Sequence, residues 1–288
     1  MISSLRASKR LHETMTDLTI RKLLIDLDTP FDIRWNGGDA FTSAFMNALS
    51  MSFPVGEQFF IDSLRRGIKE LPPELQAEFT QDVKGFIGQE ATHRRIHELF
   101  NRHVLSYGMV NHWELRVSKR VEHINQKKAI HAVAITAAYE HYTSVFASWL
   151  LKHPEFLAQA PERLQTLWLW HASEETEHRC VSFDIYRAMG GNEVWRKRWM
   201  ITVTVFFLSD IFRQTINNLW HDGSLFKLNT WRSAWRHLFT IEGLFTNSFS
   251  DWKSYFRRDF HPSAHDDRSS IQWLQTHRSS YQAVGQNH

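Results

Sequence analysis

The sequence predicts an all-α protein organised around a bundle of long helices. Three observations lead there. Only 12 Gly and 7 Pro punctuate 288 residues, so long uninterrupted segments are expected. Apolar residues recur at helical spacing between the breaks, as at Leu75, Phe79, Val83, Phe86 and Ile87. Hydrophobic residues make up 42% of the chain, enough for a sizeable core.

The elements follow in order. Residues up to about Pro30 form a polar lead-in, in which Ile20 to Leu27 alternates imperfectly as a short strand or extended arm. Asn36-Gly37-Gly38 marks a loop, and Asp39 can cap a helix that begins at Ala40. Pro54 is expected to kink or restart that helix, with its second part running from Gly56 to about Leu71. Pro72-Pro73 is a break, and the next helix runs from Glu74 to about Tyr107, where Gly108 can end it. A strongly charged helical stretch starts at Asn111 and lasts to Lys128. An apolar helix of many small residues then extends from Ala129 to near Lys152, before Pro154. One long helix fits Pro161 to about Met189, with Pro161 in its first turn and Gly190-Gly191 as its stop. The remainder is helical in pattern and rich in Trp and Phe: Glu193 to Trp220, shorter pieces between Thr230 and Asp259, and Ser263 to Tyr281. The last few residues are polar, and fraying is expected there.

Composition excludes several function classes. The net charge is +3, and the basic runs are short: Lys9-Arg10, Arg94-Arg95, Lys127-Lys128, Arg196-Lys197-Arg198 and Arg257-Arg258. No nucleic-acid partner is expected from so scattered a distribution. Cys180 is the single cysteine, which rules out an intrachain disulfide and a cysteine-based zinc site. Met1 to Glu13 has charges and no apolar h-region, so a cytoplasmic location is expected. The longest apolar run, Trp199 to Leu208, is too short to span a bilayer. It is expected to pack on the bundle and help close a cavity, with a helix lying on a membrane surface as the alternative.

The chemistry lies in a repeated spacing. Glu57 is followed by Glu90-Ala91-Thr92-His93, and Glu140 is followed by Glu175-Thr176-Glu177-His178. Glu57 precedes Glu90 by 33 residues and Glu140 precedes Glu175 by 35, so the two halves echo each other. Residues three apart share a helix face, so each Glu-x-x-His can direct two donors at one point. A chain break falls near the middle of each interval. Arms of matched length, at about 1.5 Å per residue, then bring each lone Glu level with its partner motif in an antiparallel hairpin. A single Glu-x-x-His is common on a solvated face. Two copies with matching upstream carboxylates and central breaks are not readily accidental.

Two such hairpins packed together give four Glu and two His at one level, the arrangement of a ferritin-like dimetal carboxylate bundle. The candidate ligands are Glu57, Glu90, His93, Glu140, Glu175 and His178, with the four carboxylates also the candidate catalytic groups. Carboxylate with imidazole suits two iron ions, with Mn, mixed Mn/Fe or Zn as alternatives. Glu174 stands four residues before His178 and competes with Glu175 for the ligand role. His97 and His171 fall on the ligand-bearing faces as extra ligands, supporting donors or polar bystanders. His141 is expected to point away, and Cys180 to be a packing residue. Tyr139 and Tyr142 can reach a cavity wall or pack in the core. The expected organisation is residues 1–38 as an arm and loop, 39–190 as the metal-binding bundle and 191–288 as C-terminal helices packed on it.

At these same residues the chain resembles a bacterial family labelled "predicted metal-dependent hydrolase". The resemblance rests on Arg34 to Asp39, Asn47 to Ser50, Phe53 to Phe60, Gln89 to His93 and Glu174 to Arg179, and extends over roughly Ile20 to Trp252. The label implies hydrolysis by a dimetal-activated water. The ligand types point instead to O2 activation, oxidising or hydroxylating an apolar small molecule with an electron donor as partner. Non-enzymatic iron binding or storage is the third reading. The aromatic C-terminal third, with Trp195, Trp199, Phe206, Phe207, Phe212 and Trp220, argues against storage by supplying surface for an apolar pocket, a membrane-peripheral face or a homodimer interface.

Overall fold

A computed structural model describes residues 18–284 of the chain. The leader and terminal-fraying expectations fall largely on residues 1–17 and 285–288, outside the described residues. The fold is all-α, with one small strand pair. Helices α1 (Ala40–Lys69), α2 (Pro73–Ser106), α3 (His112–Asn125), α4 (Ala129–Lys152), α5 (Glu162–Glu177) and α6 (Val181–Ala188) are followed by α7 (Glu193–His221), α8 (Leu228–Phe239), α9 (Leu244–Ser254) and α10 (Arg268–Thr276). Strand β1 (Arg21–Leu23) pairs antiparallel with β2 (Tyr281–Ala283), joining the two ends of the described chain. The strand alternative for the Ile20 region is therefore the one adopted, while β2 lies where only a helix end was expected.

Local signals set most helix ends. The Asp39 side chain accepts from the Thr42 backbone N–H, satisfying an otherwise orphaned donor of α1. Asn111 and Asn192 do the same for α3 and α7. Gly108 and Gly190 take positive φ, 83° and 80°, immediately after helices, a conformation that costs a residue with a Cβ.

Two sequence expectations are corrected. Pro54 does not divide its helix, since α1 runs unbroken from Ala40 to Lys69. A proline has no N–H for the carbonyl four residues back. Asn101 on α2 donates its Nδ2 to the Ser50 carbonyl at 2.9 Å, so the freed acceptor is satisfied from a neighbouring helix. The next carbonyl, of Met51, accepts from Asn111 Nδ2 at 2.8 Å. The long helix expected from Pro161 to Met189 is broken instead. It leaves helical geometry at His178 (φ −97°, ψ 2°) and resumes as α6 at Val181. Pro161 precedes the first turn of α5 rather than lying within it.

The helices pair as α1 with α2 and α4 with α5, and α1 packs on α4 across the middle. Helix α7 lies over α1 and α4, and α8 to α10 lie over α1, α4 and α5. The N-terminal arm reaches α2 through Gly88, where an added Cβ would stand 2.2 Å from Ile20 Cδ1. Phe86 is fully buried, with its ring 4.9 Å from that of His178. Phe86→Ala is expected to destabilise the fold by about 3–5 kcal/mol, read as a lower midpoint in denaturant unfolding with an unchanged slope. A change below 1 kcal/mol would show that the space refills.

Candidate metal centre

Helices α1, α2, α4 and α5 each bring their acidic residues to the same depth of the bundle. Glu57, Glu90, His93, Glu140, Glu175 and His178 are all buried. Donor atoms of Glu90, His93, Glu175 and His178 lie within 4.8 Å of one another, as do those of Glu57, His97 and His171. His178 Nδ1 is 2.9 Å from Glu140 Oε2, and its Nε2 is 3.6 Å from both Glu90 Oε1 and Glu175 Oε1. His93 Nδ1 is 3.3 Å from Glu175 Oε1, and His171 Nε2 is 3.9 Å from Glu57 Oε1. The helix break at His178 sits at this level, beside Glu140 on α4.

Buried polar atoms are nearly always hydrogen-bonded, so those without partners are informative. Glu57 and Glu90 have neither oxygen bonded. Glu140 Oε1, Glu175 Oε2, His93 Nδ1 and His178 Nε2 are also without partners. These unpartnered atoms come from the four carboxylates and two imidazoles singled out by spacing. Desolvated oxygens and nitrogens facing one another are costly unless a cation stands among them. The donor set fits a pair of divalent ions, which four carboxylate charges would neutralise.

Glu174 is placed differently. Its Oε1 accepts from Arg21 Nη1 and its Oε2 accepts from His93 Nε2, both at 2.9 Å. A carboxylate only accepts, so His93 Nε2 carries a proton, and Nδ1 is the nitrogen that faces the cluster. Glu174 thus orients His93, and Glu175 is the residue of the pair with an unpartnered oxygen. Arg21 also holds Glu177, which accepts from Gln89 Nε2 at 2.9 Å. Sequence reading gave no role to Arg21, which lies far from the repeated spacing on the chain, or to Gln89, which adjoins Glu90 but entered only through the resemblance. Only the Glu177 charge inside a buried segment hinted at a cationic partner.

The remaining residues separate clearly. His141 faces away from the cluster, with its ring against Tyr255 and Phe260 and Nε2 3.1 Å from the Asp251 carbonyl. Cys180 is buried, and burial raises its thiol pKa above the ordinary thiol range. His97 and His171 join the cluster through a line of hydrogen bonds. His171 Nδ1 is 2.6 Å from His97 Nε2, His97 Nδ1 is 2.8 Å from Ser50 Oγ, and Ser50 Oγ donates to Asn101 Oδ1 at 2.7 Å.

Burial and mutual repulsion set the electrostatics. Burial pushes Glu57 and Glu90 well above the usual carboxylate range, and the neighbouring carboxylates Glu175 and Glu140 push in the same direction. Glu140 rises to about 7, mainly from burial, with the His178 charge opposing. Burial disfavours charge on His93 too, but its bond to Glu174 and the nearby Glu175 carboxylate prevail and raise it to about 9. His171 falls to about 4 through burial and the charge of His93. These opposed directions within one cluster are characteristic of functional sites.

A cavity of about 370 Å³ leads to Glu57, lined by Phe53, Phe60, Trp113, Tyr139 and Phe207. Its outer lining includes Lys119, Arg120, His123 and Lys127. Tyr139 thus does reach a cavity wall. From the apolar run on α7, Trp199, Val203, Phe206 and Phe207 line the same space. Met200, Val203 and Phe207 are buried, whereas Ile201, Val205 and Leu208 remain exposed, so only one side of the run packs inward. A second, smaller apolar cavity reaches Glu175 and His171.

No helix among the described residues is long and apolar enough to cross a membrane. No curated protein and no solved structure matches the chain. Residues 19–266 match the family described as "Predicted metal-dependent hydrolase", a span that contains every residue of the cluster. With most of its length matched, and with a buried carboxylate and imidazole cluster at its centre, the chain belongs to that family of predicted metal-dependent hydrolases.

Proposed function

We propose that this protein is a dimetal carboxylate enzyme of ferritin-like architecture that activates O2 to oxidise or hydroxylate an apolar substrate. Glu57, Glu90, His93, Glu140, Glu175 and His178 would hold two iron ions. The observation that carries the reading is the set of unpartnered donor atoms from these six residues, converging in a core that an aromatic cavity enters at Glu57. Two iron ions would supply the redox chemistry that side chains lack. The chain's own residues do the rest. Glu174, held by Arg21, fixes the His93 ring. The phenyl and indole walls admit an apolar molecule and exclude water. Anionic oxygen donors favour the more highly charged ferric state.

The family description supports a second reading, hydrolysis by a metal-activated water. That chemistry needs water and a polar electrophile beside the metals. The walls near Glu57 are largely phenyl and indole, which suits an apolar substrate better.

One experiment separates the two. Protein loaded with ferrous iron under anaerobic conditions is expected to consume a pulse of O2, with a ferric absorption developing, and Glu57→Ala to abolish this. If the loaded protein ignores O2 yet cleaves esters or phosphoesters with a redox-inert metal, the oxidative reading fails and hydrolysis stands.

A further inference from the structure

The hydrogen-bond line behind the cluster has a fixed direction, and it ends on His171. It starts at Pro54, which leaves the Ser50 carbonyl without its helical donor. That carbonyl can only accept, so the Asn101 atom bonded to it is the amide nitrogen, and Asn101 Oδ1 must accept. Ser50 Oγ therefore gives its proton to Asn101 Oδ1 and accepts from His97 Nδ1. With its proton on Nδ1, His97 accepts at Nε2 from His171 Nδ1. The relay gives His171 Nε2 no proton of its own, yet Nε2 stands at hydrogen-bond distance, 2.9 Å, from Glu175 Oε1 and 3.9 Å from Glu57 Oε1, so a second ring proton or a metal ion must fill that contact. A lone pair aimed at carboxylate oxygens is repulsive unless a cation lies between them.

We infer that His171 is a seventh metal ligand, through Nε2, and that Pro54, Ser50, Asn101 and His97 form the relay that orients it. The two ions then have unequal surroundings. His171 would serve the ion on the Glu57 side, and Glu90, His93, Glu175 and His178, whose donor atoms lie within 4.8 Å of one another, would serve the other. Glu175 Oε1 stands 2.9 Å from His171 Nε2 and 3.6 Å from His178 Nε2. The inference rests on the dimetal reading above and deepens it.

The test is anaerobic titration of the purified protein with cobaltous ion, followed by its visible absorption. Wild type is expected to bind two ions of distinct spectra. His171→Ala should weaken one of them on the order of 100-fold, at or above the range for loss of a supporting residue. Free imidazole should restore that ion's spectrum, a rescue that a merely structural histidine would not show. His97→Phe breaks the relay but keeps the ligand, so a smaller loss without imidazole rescue is expected. His171→Gln provides the measurement if the alanine variant does not fold. Unchanged affinities and spectra in the His171 variants, with two ions bound in wild type, overturn the inference alone and leave a proton as the occupant of that position. Failure of wild type to bind two ions overturns the dimetal reading itself.

The outward side of α7 carries an independent feature. Ile201, Val205, Leu208 and Phe212 recur at helical spacing and are all exposed. The apolar surface continues into α9 and α8. Leu208 shares a cavity wall with Phe245 and Phe249, the Phe245 ring is 5.7 Å from Phe239, and Phe239 is 5.4 Å from Trp235. Phe226 and Ile241, at the two ends of α8, are 85% and 83% exposed. Arg198, Arg213, Lys227, Arg232 and Arg236 flank these residues and are exposed. The acids between Val194 and Ile241 are Asp210 and Asp222, already paired with Arg116, Arg120 and Arg34.

We propose that this face docks on an anionic lipid bilayer. A symmetric dimer would set the same unneutralised cations against each other, whereas lipid phosphates neutralise them and the Trp and Phe rings enter the interface. Flotation with vesicles of phosphatidylcholine and phosphatidylglycerol is expected to carry the full chain, and phosphatidylcholine alone to carry much less. Arg232→Gln with Arg236→Gln should weaken binding about fivefold per charge, and Val205→Ser with Phe212→Ser should weaken it further without altering the circular dichroism. Failure to float with anionic vesicles overturns the proposal. So does a dimer in sedimentation equilibrium that the Val205 and Phe212 substitutions dissociate, which would make a second copy the occupant.

Discussion

Glu90→Ala and Glu175→Ala are each expected to leave a protein that no longer holds two divalent ions, whereas Glu174→Ala still reaches two at saturating metal. Glu90 has both oxygens unpartnered in the core and Glu175 has one, so each alanine removes donors that nothing else replaces. Glu174 has both oxygens engaged, by Arg21 and by His93. Its loss frees the His93 ring to turn and is expected to weaken metal binding about 10–100-fold without changing the stoichiometry. Elemental analysis with competitive chelator titration measures both quantities. Two ions in Glu175→Ala with fewer in Glu174→Ala would reverse the two roles. In wild type the ions should lie about 3.5–4 Å apart, and one ion per chain would count against the paired site.

The metal-free protein is expected to lose thermal stability as pH rises from 6.5 to 9, and the metal-loaded protein to lose far less. A group whose folded pKa is raised contributes stability that is complete below its unfolded value and vanishes as pH climbs through the folded one. His93, raised from 6.5 to about 9, spans this window and alone carries on the order of 3 kcal/mol. His178, Glu57 and Glu90 are raised as well, and Glu140 to about 7, so all act in the same direction. The groups with depressed values, Glu175, His97 and His171, lose their contributions as pH falls below 6.5, outside the window. Bound metal takes the place of the protons, so metal affinity should rise over the same interval. Parallel melting curves with and without metal test this. A melting temperature of the metal-free protein that is flat or rising between pH 6.5 and 9 would contradict it.

Much of the helical plan was legible because its signals are local. Asp39 caps α1 through an atom three residues away, and Pro72-Pro73, Gly108 and Gly190 act on their own backbone. The convergence of Glu57, Glu90, Glu140 and Glu175 was legible for a related reason. Helical periodicity and equal arm lengths turn distance along the chain into depth in a bundle. Pro54 shows where such rules fail. Its local effect is to free a carbonyl, and whether that interrupts the helix depends on Asn101 and Asn111, contributed by later segments. The break at His178 has no glycine or proline to announce it; the side chain is drawn toward Glu140 on another helix.

By itself, the sequence determined that the chain is helical, that its acidic residues recur in two matched halves, and that a Glu and a His on one turn face the same way. Each follows from interactions spanning a few residues, where spacing and geometry are nearly equivalent. Only the tertiary structure decided which carboxylate of Glu174 and Glu175 is left with a free oxygen, since Arg21 arrives from 153 residues away along the chain to occupy the other. It likewise decided that His171 ends a directed line of hydrogen bonds and that one side of α7 stays uncovered. Those outcomes depend on groups far apart in sequence, whose partners are chosen by packing, and the energy of a buried polar atom is set by what reaches it rather than by its neighbours along the chain.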